Sequence, residues 1–266
     1  MKNYGKNILP EICPILNVKL RVSDYEGALQ LVKNAIESKD QIRMNLCNVH
    51  VTMVAQSMPE LMKALNHTSA VTLPDGMPLV WAMRSWGAEI KDRVYGPDFF
   101  ELCMSKSVES GFKHFLYGST ENTLEKLETN LKNKFENIDI CGSYSPPFRP
   151  LTSEEEEEVV LKINDTGANI VWIGLGAPKQ EIFVDKIAEK LNAQVVVAIG
   201  AAFDFHAGTV KQAPDWMQDH GLEWFYRLVQ EPRRLWFRYC YYNPLFVIKY
   251  LIERIKGKRE SISNNQ

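Results

Sequence analysis

The sequence predicts an α/β protein: a Rossmann-like parallel sheet with helices on both faces, followed by a helical C-terminal appendage. Between residues 112 and 199, short apolar runs alternate with segments of helical periodicity, and strands joined by helices run parallel. Some of these runs end in glycine, as in Gly174-Leu175-Gly176, at the carboxyl edge where such sheets bind ligands. After Phe203 the alternation stops and a basic, aromatic-rich segment follows.

Apolar spacing assigns the individual elements in chain order. We predict strands over residues 14–22, 43–47, 70–73, 113–117, 138–141, 170–173 and 195–199, and helices over 24–36, 51–65, 77–86, 98–108, 120–135, 154–163 and 179–191. Ser23 is the predicted cap of the first helix, and Pro59 interrupts the second. We predict an α/β catalytic domain over 1–220, with subregions of about 1–110 and 111–220, and an amphipathic, membrane-associating appendage over 221–266.

The charge distribution is asymmetric. The chain has 31 basic and 33 acidic residues, yet residues 222–259 hold nine basic residues against three acidic ones, together with ten of the 28 aromatic residues. A basic, aromatic surface on an acidic body suits an anionic partner. The helical spacing of this tail, broken at Pro232 and Pro244, fits equally well a helix at the lipid interface or a helical cap packed on the domain.

The cysteine usage and hydropathy indicate the compartment. The five cysteines are scattered without a Cys-x-x-Cys pair, which is typical of reduced thiols in a cytosolic protein. No N-terminal apolar run follows a basic start, and no stretch reaches the length of a membrane-spanning helix. We therefore expect a cytoplasmic protein that associates peripherally with the cytoplasmic face of the plasma membrane.

The segment 170–181, IVWIGLGAPKQE, is the first candidate site. A strand that breaks into glycines just before a helix brings backbone N–H groups close to a phosphate. A Gly-x-Gly sequence alone is equally consistent with an ordinary strand-to-helix turn. Lys179, Gln180 and Glu181 add a cation, an amide and a carboxylate at the same crevice, which favours a binding site.

Four further polar residues are candidates, each with a structural alternative. Asp75, in Leu-Pro-Asp-Gly-Met-Pro, is either a carboxylate held out into the crevice or a turn aspartate. Arg93 is a ligand of a phosphate or sugar carboxylate, or a surface ion-pair partner. Asn48 ends a strand on the same sheet edge, and Asp204 either orients a substrate or caps a turn.

Several common motifs are missing. No Asp-x-Asp occurs, so the usual metal–nucleotide clamp is not predicted. Segment 174–179 is not G-x-G-x-x-G, because Lys179 holds the last glycine's place and Pro178 has no N–H. This weakens one alternative, a nicotinamide oxidoreductase on a Rossmann fold. A second alternative, a non-catalytic membrane-associated scaffold, predicts lipid binding by the tail and indifference to Asp75→Asn.

Nine short motifs occur along the chain: PDG at 74–76, RVYGPD at 93–98, YGS at 117–119, GLGAPKQE at 174–181, GAAFD at 200–204, APDW at 213–216, GLEW at 221–224, YRL at 226–228 and EPRR at 231–234. In this order they resemble the WecG/TagA/CpsF family of bacterial glycosyltransferases, glycosyltransferase family 26, over roughly residues 18–238. Segment 47–50, CNVH, departs from the Thr and the Asn-Pro-Glu type turn of many members.

The resemblance implies a GT-E-like fold and an inverting, metal-independent transferase without a cofactor. Such enzymes move N-acetylmannosamine, its uronic acid or a similar sugar from a UDP-sugar to an undecaprenyl-diphosphate-linked saccharide at the inner membrane face. Their products are wall teichoic acid or other surface polysaccharides. Asp75 falls on the family's proposed base, and residues 223–238 fall on its basic appendage.

Each candidate then has an expected role. Asp75 is the general base, and Gln180 and Arg93 are catalytic residues that position the sugars. The expected donor-binding residues are Asn48, Gly118, Gly174, Gly176, Lys179, Glu181 and Asp204, and the expected ligands of the acceptor or diphosphate are Arg227, Arg233 and Arg238. The expected partners are the two substrates and the membrane surface, with no metal and no nucleic acid; self-association is left open.

Overall fold

The computed structural model describes residues 9–214, 216–217 and 221–263, of which residue 234 and residues 257–263 are described by their backbone alone. Residues 1–8, Asp215 of the APDW motif, residues 218–220 at the predicted domain limit and residues 264–266 of the predicted appendage lie outside the described residues.

Eight strands form one sheet. They are β1 Ile12–Ile15, β2 Val18–Arg21, β3 Ile42–Cys47, β4 Ala70–Pro74, β5 Lys113–Gly118, β6 Asp139–Tyr144, β7 Ile170–Gly174 and β8 Val195–Ala198. The strand order is β1-β2-β4-β3-β8-β7-β5-β6. All neighbouring pairs are parallel except β1 and β2, so the predicted α/β fold is confirmed, with one antiparallel strand at the edge.

Helices join the strands and form the C-terminal appendage. They are α1 Tyr25–Ser38, α2 Val49–Ala55, α3 Pro59–Leu65, α4 Met77–Ser85, α5 Gly96–Ser110, α6 Glu121–Lys134, α7 Ser153–Asp165, α8 Lys179–Ile187 and α9 Ala202–His206, then α10 Glu223–Gln230, α11 Pro232–Cys240 and α12 Tyr242–Ser263. Pro232 opens α11, and Pro244 lies in the first turn of α12, where a missing N–H costs no helical hydrogen bond.

The N-terminal predictions are wrong in two details. The predicted strand over 14–22 is a hairpin of β1 and β2, because Leu16 and Asn17 both take positive φ, 48° and 63°, and reverse the chain in two residues. No glycine marks this turn, so the alternating pattern runs through it. The first helix is capped by Asp24, whose carboxylate accepts from the N–H of Gly27 at 2.9 Å, and not by Ser23.

The sheet is buried on both faces, which explains the continuous apolar runs of its central strands. Trp172 of β7 is fully buried against Phe100 of α5, with ring centroids 4.8 Å apart. The appendage packs on this body, since Leu235 of α11 and Phe246 of α12 are buried. Among the described residues, no helix is both long and apolar enough to cross a bilayer.

Candidate active site

A cavity of about 710 Å³ lies beyond the carboxyl ends of the parallel strands. Because these ends meet at one edge, residues distant in the sequence line it together. Those that come from or directly follow a strand are Asn48 after β3, Asp75 after β4, Ser119 after β5, Gly174 of β7 and Gly200 near the end of β8. The appendage adds Arg227 and Arg238 to the same wall.

Asp75 is held by hydrogen bonds to both carboxylate oxygens. The N–H of Gly96 donates to Oδ1 at 2.9 Å, and Nδ2 of Asn48 donates to Oδ2 at 3.3 Å. The backbone also fixes the residue, because its own N–H donates to the carbonyl of Cys47 at 2.7 Å. The carboxylate therefore has a fixed position in the cavity wall.

Burial raises the pKa of Asp75 to about 6, against 3.8 for an ordinary aspartate. The guanidinium of Arg93 and the two hydrogen bonds oppose this rise, and the nearby carboxylate of Glu223 adds to it. A carboxylate with a pKa near 6 is ionised at pH 7.5 and is a stronger base than an exposed aspartate, which suits a general base.

Gln180 joins two glycine turns. Its side-chain oxygen accepts from the N–H of Gly176 and from the N–H of Gly200, both at 3.0 Å, and its amide nitrogen donates to Oε1 of Glu181 at 3.1 Å. The side chain is 3% exposed. All three contacts are within the protein, so the amide fixes the shape of the cavity floor.

Glu181 lies behind Gln180 and is 1% exposed. Its second oxygen, Oε2, is buried without a hydrogen-bond partner among the described residues. Burial raises the pKa of the carboxyl to about 7, while Arg238 acts in the opposite direction. The residue therefore offers the cavity either a carboxylate oxygen or a protonated carboxyl near neutral pH.

Two glycines allow β5 and β7 to approach each other. Gly118 has φ of +121°, and a Cβ atom there would lie 2.6 Å from the carbonyl carbon of Gly174. A Cβ atom at Gly174 would meet the ring of Phe203 at 2.6 Å. Gly176, with φ of +76°, is exposed, and no atom of the described residues lies within 4 Å of its Cβ position, so a ligand can approach its backbone closely.

Three of the basic residues that line the cavity, Lys179, Arg227 and Arg238, were predicted site residues. The guanidinium of Arg227 lies 5.2 Å from the ring centroid of Phe205, and its Nε is buried without a hydrogen-bond partner among the described residues. Arg238 donates to Oδ1 of Asn48 at 3.3 Å. Lys179 is exposed at the rim, with its ammonium 5.5 Å from the ring centroid of Phe148.

Of the remaining predicted residues, one lines the cavity and three do not. Asp204, on α9, lines the cavity. Gly118 is buried and Arg233 is exposed on α11, and neither is among the lining residues. Arg93 does not line the cavity either; its Nη1 lies 3.1 Å from Oε2 of Glu223 on α10.

The model of the glycosyl transferase WecG/TagA/CpsF family matches residues 13–260. The chain belongs to this family. The match extends from the first strand through the cavity and into α12, so it includes both the sheet and the appendage. Membership in the WecG/TagA/CpsF family supports glycosyl transfer in polysaccharide synthesis and not nicotinamide chemistry.

Two features of this family member were not assigned a role from the sequence. Glu223 is a buried acid that accepts from Arg93 and from the hydroxyl of Tyr95. The sequence feature that could have indicated it is an acid at the start of the basic tail, in the GLEW motif. The proline-rich loop 146–151 also lines the cavity, and its PPFRP sequence is the feature that could have indicated it.

Among the described residues, no group of three or more His, Cys, Asp or Glu side chains is arranged to hold a metal ion.

Replacing Glu181 by glutamine is expected to stabilise the fold at pH 8 by at most about 3 kcal/mol. The pKa of Glu181 is about 7 in the folded protein, against 4.5 for an ordinary glutamate. The favourable contribution of this carboxyl to the free energy of unfolding is therefore complete below pH 4.5 and is lost as pH rises through 7. Glutamine does not ionise and keeps the oxygen that accepts from Gln180. Urea unfolding at pH 5 and pH 8 measures the effect.

The matched control is Glu157→Gln, at an exposed acid on α7. The advantage of Glu181→Gln over the wild type should grow between the two pH values, and that of the control should not. An advantage that stays constant with pH would contradict the burial of an ionising Glu181.

Proposed function

We propose that the protein is an inverting glycosyltransferase that moves a sugar from a UDP-sugar to an undecaprenyl-diphosphate-linked saccharide. The observation that carries the proposal is the fixed carboxylate of Asp75, which faces a cavity of about 710 Å³ that is also lined by Arg227 and Arg238. A base and cations around one concave site are what transfer from a diphosphate leaving group requires.

In the proposed reaction, Asp75 removes the proton from the attacking hydroxyl of the acceptor. The hydroxyl oxygen forms a bond to the anomeric carbon while the bond from that carbon to the diphosphate breaks. The hydrogen bonds from Gly96 and Asn48 hold the carboxylate in place, and its pKa near 6 keeps it ionised at neutral pH. One base is sufficient for a single displacement.

The departing UDP gains negative charge, and we propose that side-chain cations meet it without a metal ion. The buried Nε of Arg227 has no hydrogen-bond partner in the described part of the chain, Arg238 reaches the cavity beside Asn48, and Lys179 is at the rim. Guanidinium groups bind diphosphate oxygens in a bidentate manner. Gly176, whose Cβ position is open, provides the side-chain-free surface on which the diphosphate lies, with Gly174 lining the cavity beside it. Asp204 and Glu181 accept from sugar hydroxyls.

The donor sugar in this proposal is N-acetylmannosamine, its uronic acid or a similar sugar, and the product is a wall teichoic acid or another surface polysaccharide. These choices rest on the family resemblance. Arg93 is paired with Glu223 outside the cavity, so it does not select a uronic acid by direct contact. Its proposed role is positioning, and that of Gln180, which bonds to Gly176 and Gly200, is to fix the cavity floor.

We also propose that α12 binds the cytoplasmic membrane surface. One side of the helix packs on the body through Phe246, Tyr250 and Glu253. The side facing away carries apolar residues that are about half exposed, namely Val247, Ile248, Leu251, Ile252 and Ile255. Such an apolar face, with basic residues beside it, suits anionic lipid. Arg233, exposed on α11, would lie toward the same headgroups.

Replacing Ile248, Leu251 and Ile255 together by lysine is expected to lower partition onto vesicles containing phosphatidylglycerol at least about 10-fold. Each residue loses about 1.5–3 kcal/mol of burial in lipid and regains only about 1 kcal/mol from its new charge near the anionic surface. Vesicle flotation measures this. Leu161→Lys, at a leucine of α7 that is 62% exposed, is the control. Unchanged flotation of the triple variant would contradict this membrane face.

The test of the proposed reaction is transfer from a panel of UDP-sugars to a short-chain prenyl-diphosphate-linked N-acetylglucosamine, with EDTA present throughout. Transfer from one donor that survives EDTA would support both the donor class and metal independence. Transfer that EDTA abolishes would overturn metal independence alone. No transfer from any donor, together with no binding of UDP by calorimetry, would overturn the proposed reaction.

A further inference from the structure

A buried ion pair joins the appendage to the body of the protein. Nη1 of Arg93 lies 3.1 Å from Oε2 of Glu223, and the two side chains are 12% and 8% exposed. The hydroxyl of Tyr95 donates to the other oxygen of Glu223, and the guanidinium lies 4.4 Å from the ring centroid of Tyr95. Both oxygens of Glu223 are therefore occupied by partners on one short segment, 93–96.

The ion pair is weak evidence for added stability, because burying two charges carries a desolvation penalty that their mutual attraction often only balances. It does fix geometry, because the glutamate, the guanidinium and the phenol ring are held in one arrangement. The pair also joins residues 130 positions apart, so it determines where α10 lies.

Both partners of the ion pair are close to the reacting groups. On one side, Gly96 follows Tyr95 and donates its N–H to Asp75 at 2.9 Å. On the other side, Arg227 lies one turn after Glu223 on α10 and reaches the cavity beside Phe205. The segment 93–96 thus contacts the appendage through two side chains and the carboxylate of Asp75 through one backbone N–H.

We propose that Glu223 is a positioning residue, which fixes α10 on segment 93–96 and so sets the position of Arg227 and the surroundings of Asp75. The proposal deepens the proposed function and rests on it. Arg93 and Tyr95 serve as the anchors of Glu223, and Arg93 does so without lining the cavity. The donor site is then complete only when the appendage is docked through this glutamate.

The ion pair also acts on Asp75 through its charges. Arg93 favours the ionised carboxylate, and Glu223 opposes it. The other titratable or polar groups that face Asp75 are Asn48, Glu181, Tyr95, Tyr25, Cys47 and Tyr239. Replacing Glu223 by glutamine removes one negative charge, so the pKa of Asp75 falls and the acid limb of kcat moves to lower pH.

The experiment compares Glu223→Gln, Glu223→Ala, Arg227→Ala and the Glu223→Ala/Arg227→Ala double variant, with Glu157→Gln as the control at an exposed acid of α7. We expect Glu223→Ala to lower kcat about 10- to 100-fold through misplacement of reacting groups. Because Glu223 acts partly through Arg227, the double variant should lose less activity than the product of the two single losses. Glu223→Gln should fold and show the shifted acid limb.

Amide hydrogen exchange of residues 223–230, measured without substrate, reports whether α10 is packed on segment 93–96 and does not depend on any reaction. Faster exchange in Glu223→Ala but not in Glu157→Gln is expected. If wild type transfers no sugar, the proposed reaction fails while this measurement still decides the docking. Unchanged exchange, multiplicative losses of activity in the double variant, or an acid limb that does not move in Glu223→Gln would each overturn the proposal.

Discussion

Asp75→Asn is expected to lower kcat by about 10²- to 10⁴-fold, the usual contribution of a general base. The amide oxygen can still accept from the N–H of Gly96, which holds Oδ1 of the aspartate at 2.9 Å, but it cannot remove a proton from the acceptor. The measurement is kcat at saturating donor and acceptor. The affinity for UDP by calorimetry should change little, because UDP does not need the base.

The pH dependence of kcat gives a second test of Asp75 as the general base. In the wild type, kcat should rise with pH through about 6, because the active form is the ionised carboxylate and burial raises its pKa to that value. The residual activity of Asp75→Asn should lack this limb. A variant that keeps the limb, or more than about a tenth of the wild-type kcat, would assign the base elsewhere.

Gly118→Ala is expected to lower the free energy of unfolding by about 3–5 kcal/mol, from overpacking and backbone strain together. The added Cβ would lie 2.6 Å from the carbonyl carbon of Gly174 on the adjacent strand, and φ of +121° is unfavourable for alanine. The obstacle is backbone in a central pair of strands, so it cannot rotate away. Urea unfolding monitored by tryptophan fluorescence measures the loss.

Gly111→Ala separates the two causes. Gly111 caps α5 with φ of +66°, and in the described part of the chain no atom lies within 4 Å of its Cβ position. Its cost is the left-handed conformation alone, about 1–2 kcal/mol. Equal losses for the two variants would mean that β5 and β7 do not approach each other as closely as described.

The strands could be predicted where burial on both faces produces an uninterrupted apolar run, as at 170–173 and 195–199. The N-terminal hairpin could not, because Leu16 and Asn17 adopt positive φ without a glycine to announce the turn. The register of β1 on β2 comes from this turn and from burial of alternate side chains, not from a local composition signal.

The position of the cavity was predictable because parallel strands end at one edge, and this brings Asn48 beside Asp75. The orientation of individual side chains was not. Gln180 bonds to Gly176 and Gly200, which requires knowing how two distant turns meet. The pairing of Arg93 with Glu223 depends on how the appendage packs across 130 positions of sequence, which no local pattern records.

Because Asp75 is one of several carboxyl groups that line the cavity, the stereochemistry of the product is the most direct test. Asp75 acting as the single base predicts one displacement, whereas a second carboxylate such as Glu181, used as a nucleophile, would give two displacements. The measurement is the anomeric configuration of the transferred sugar by NMR, with the UDP-sugar that the enzyme accepts. We expect a configuration opposite to that of the donor; the same configuration as the donor would show that Asp75 does not act as the single base of one displacement.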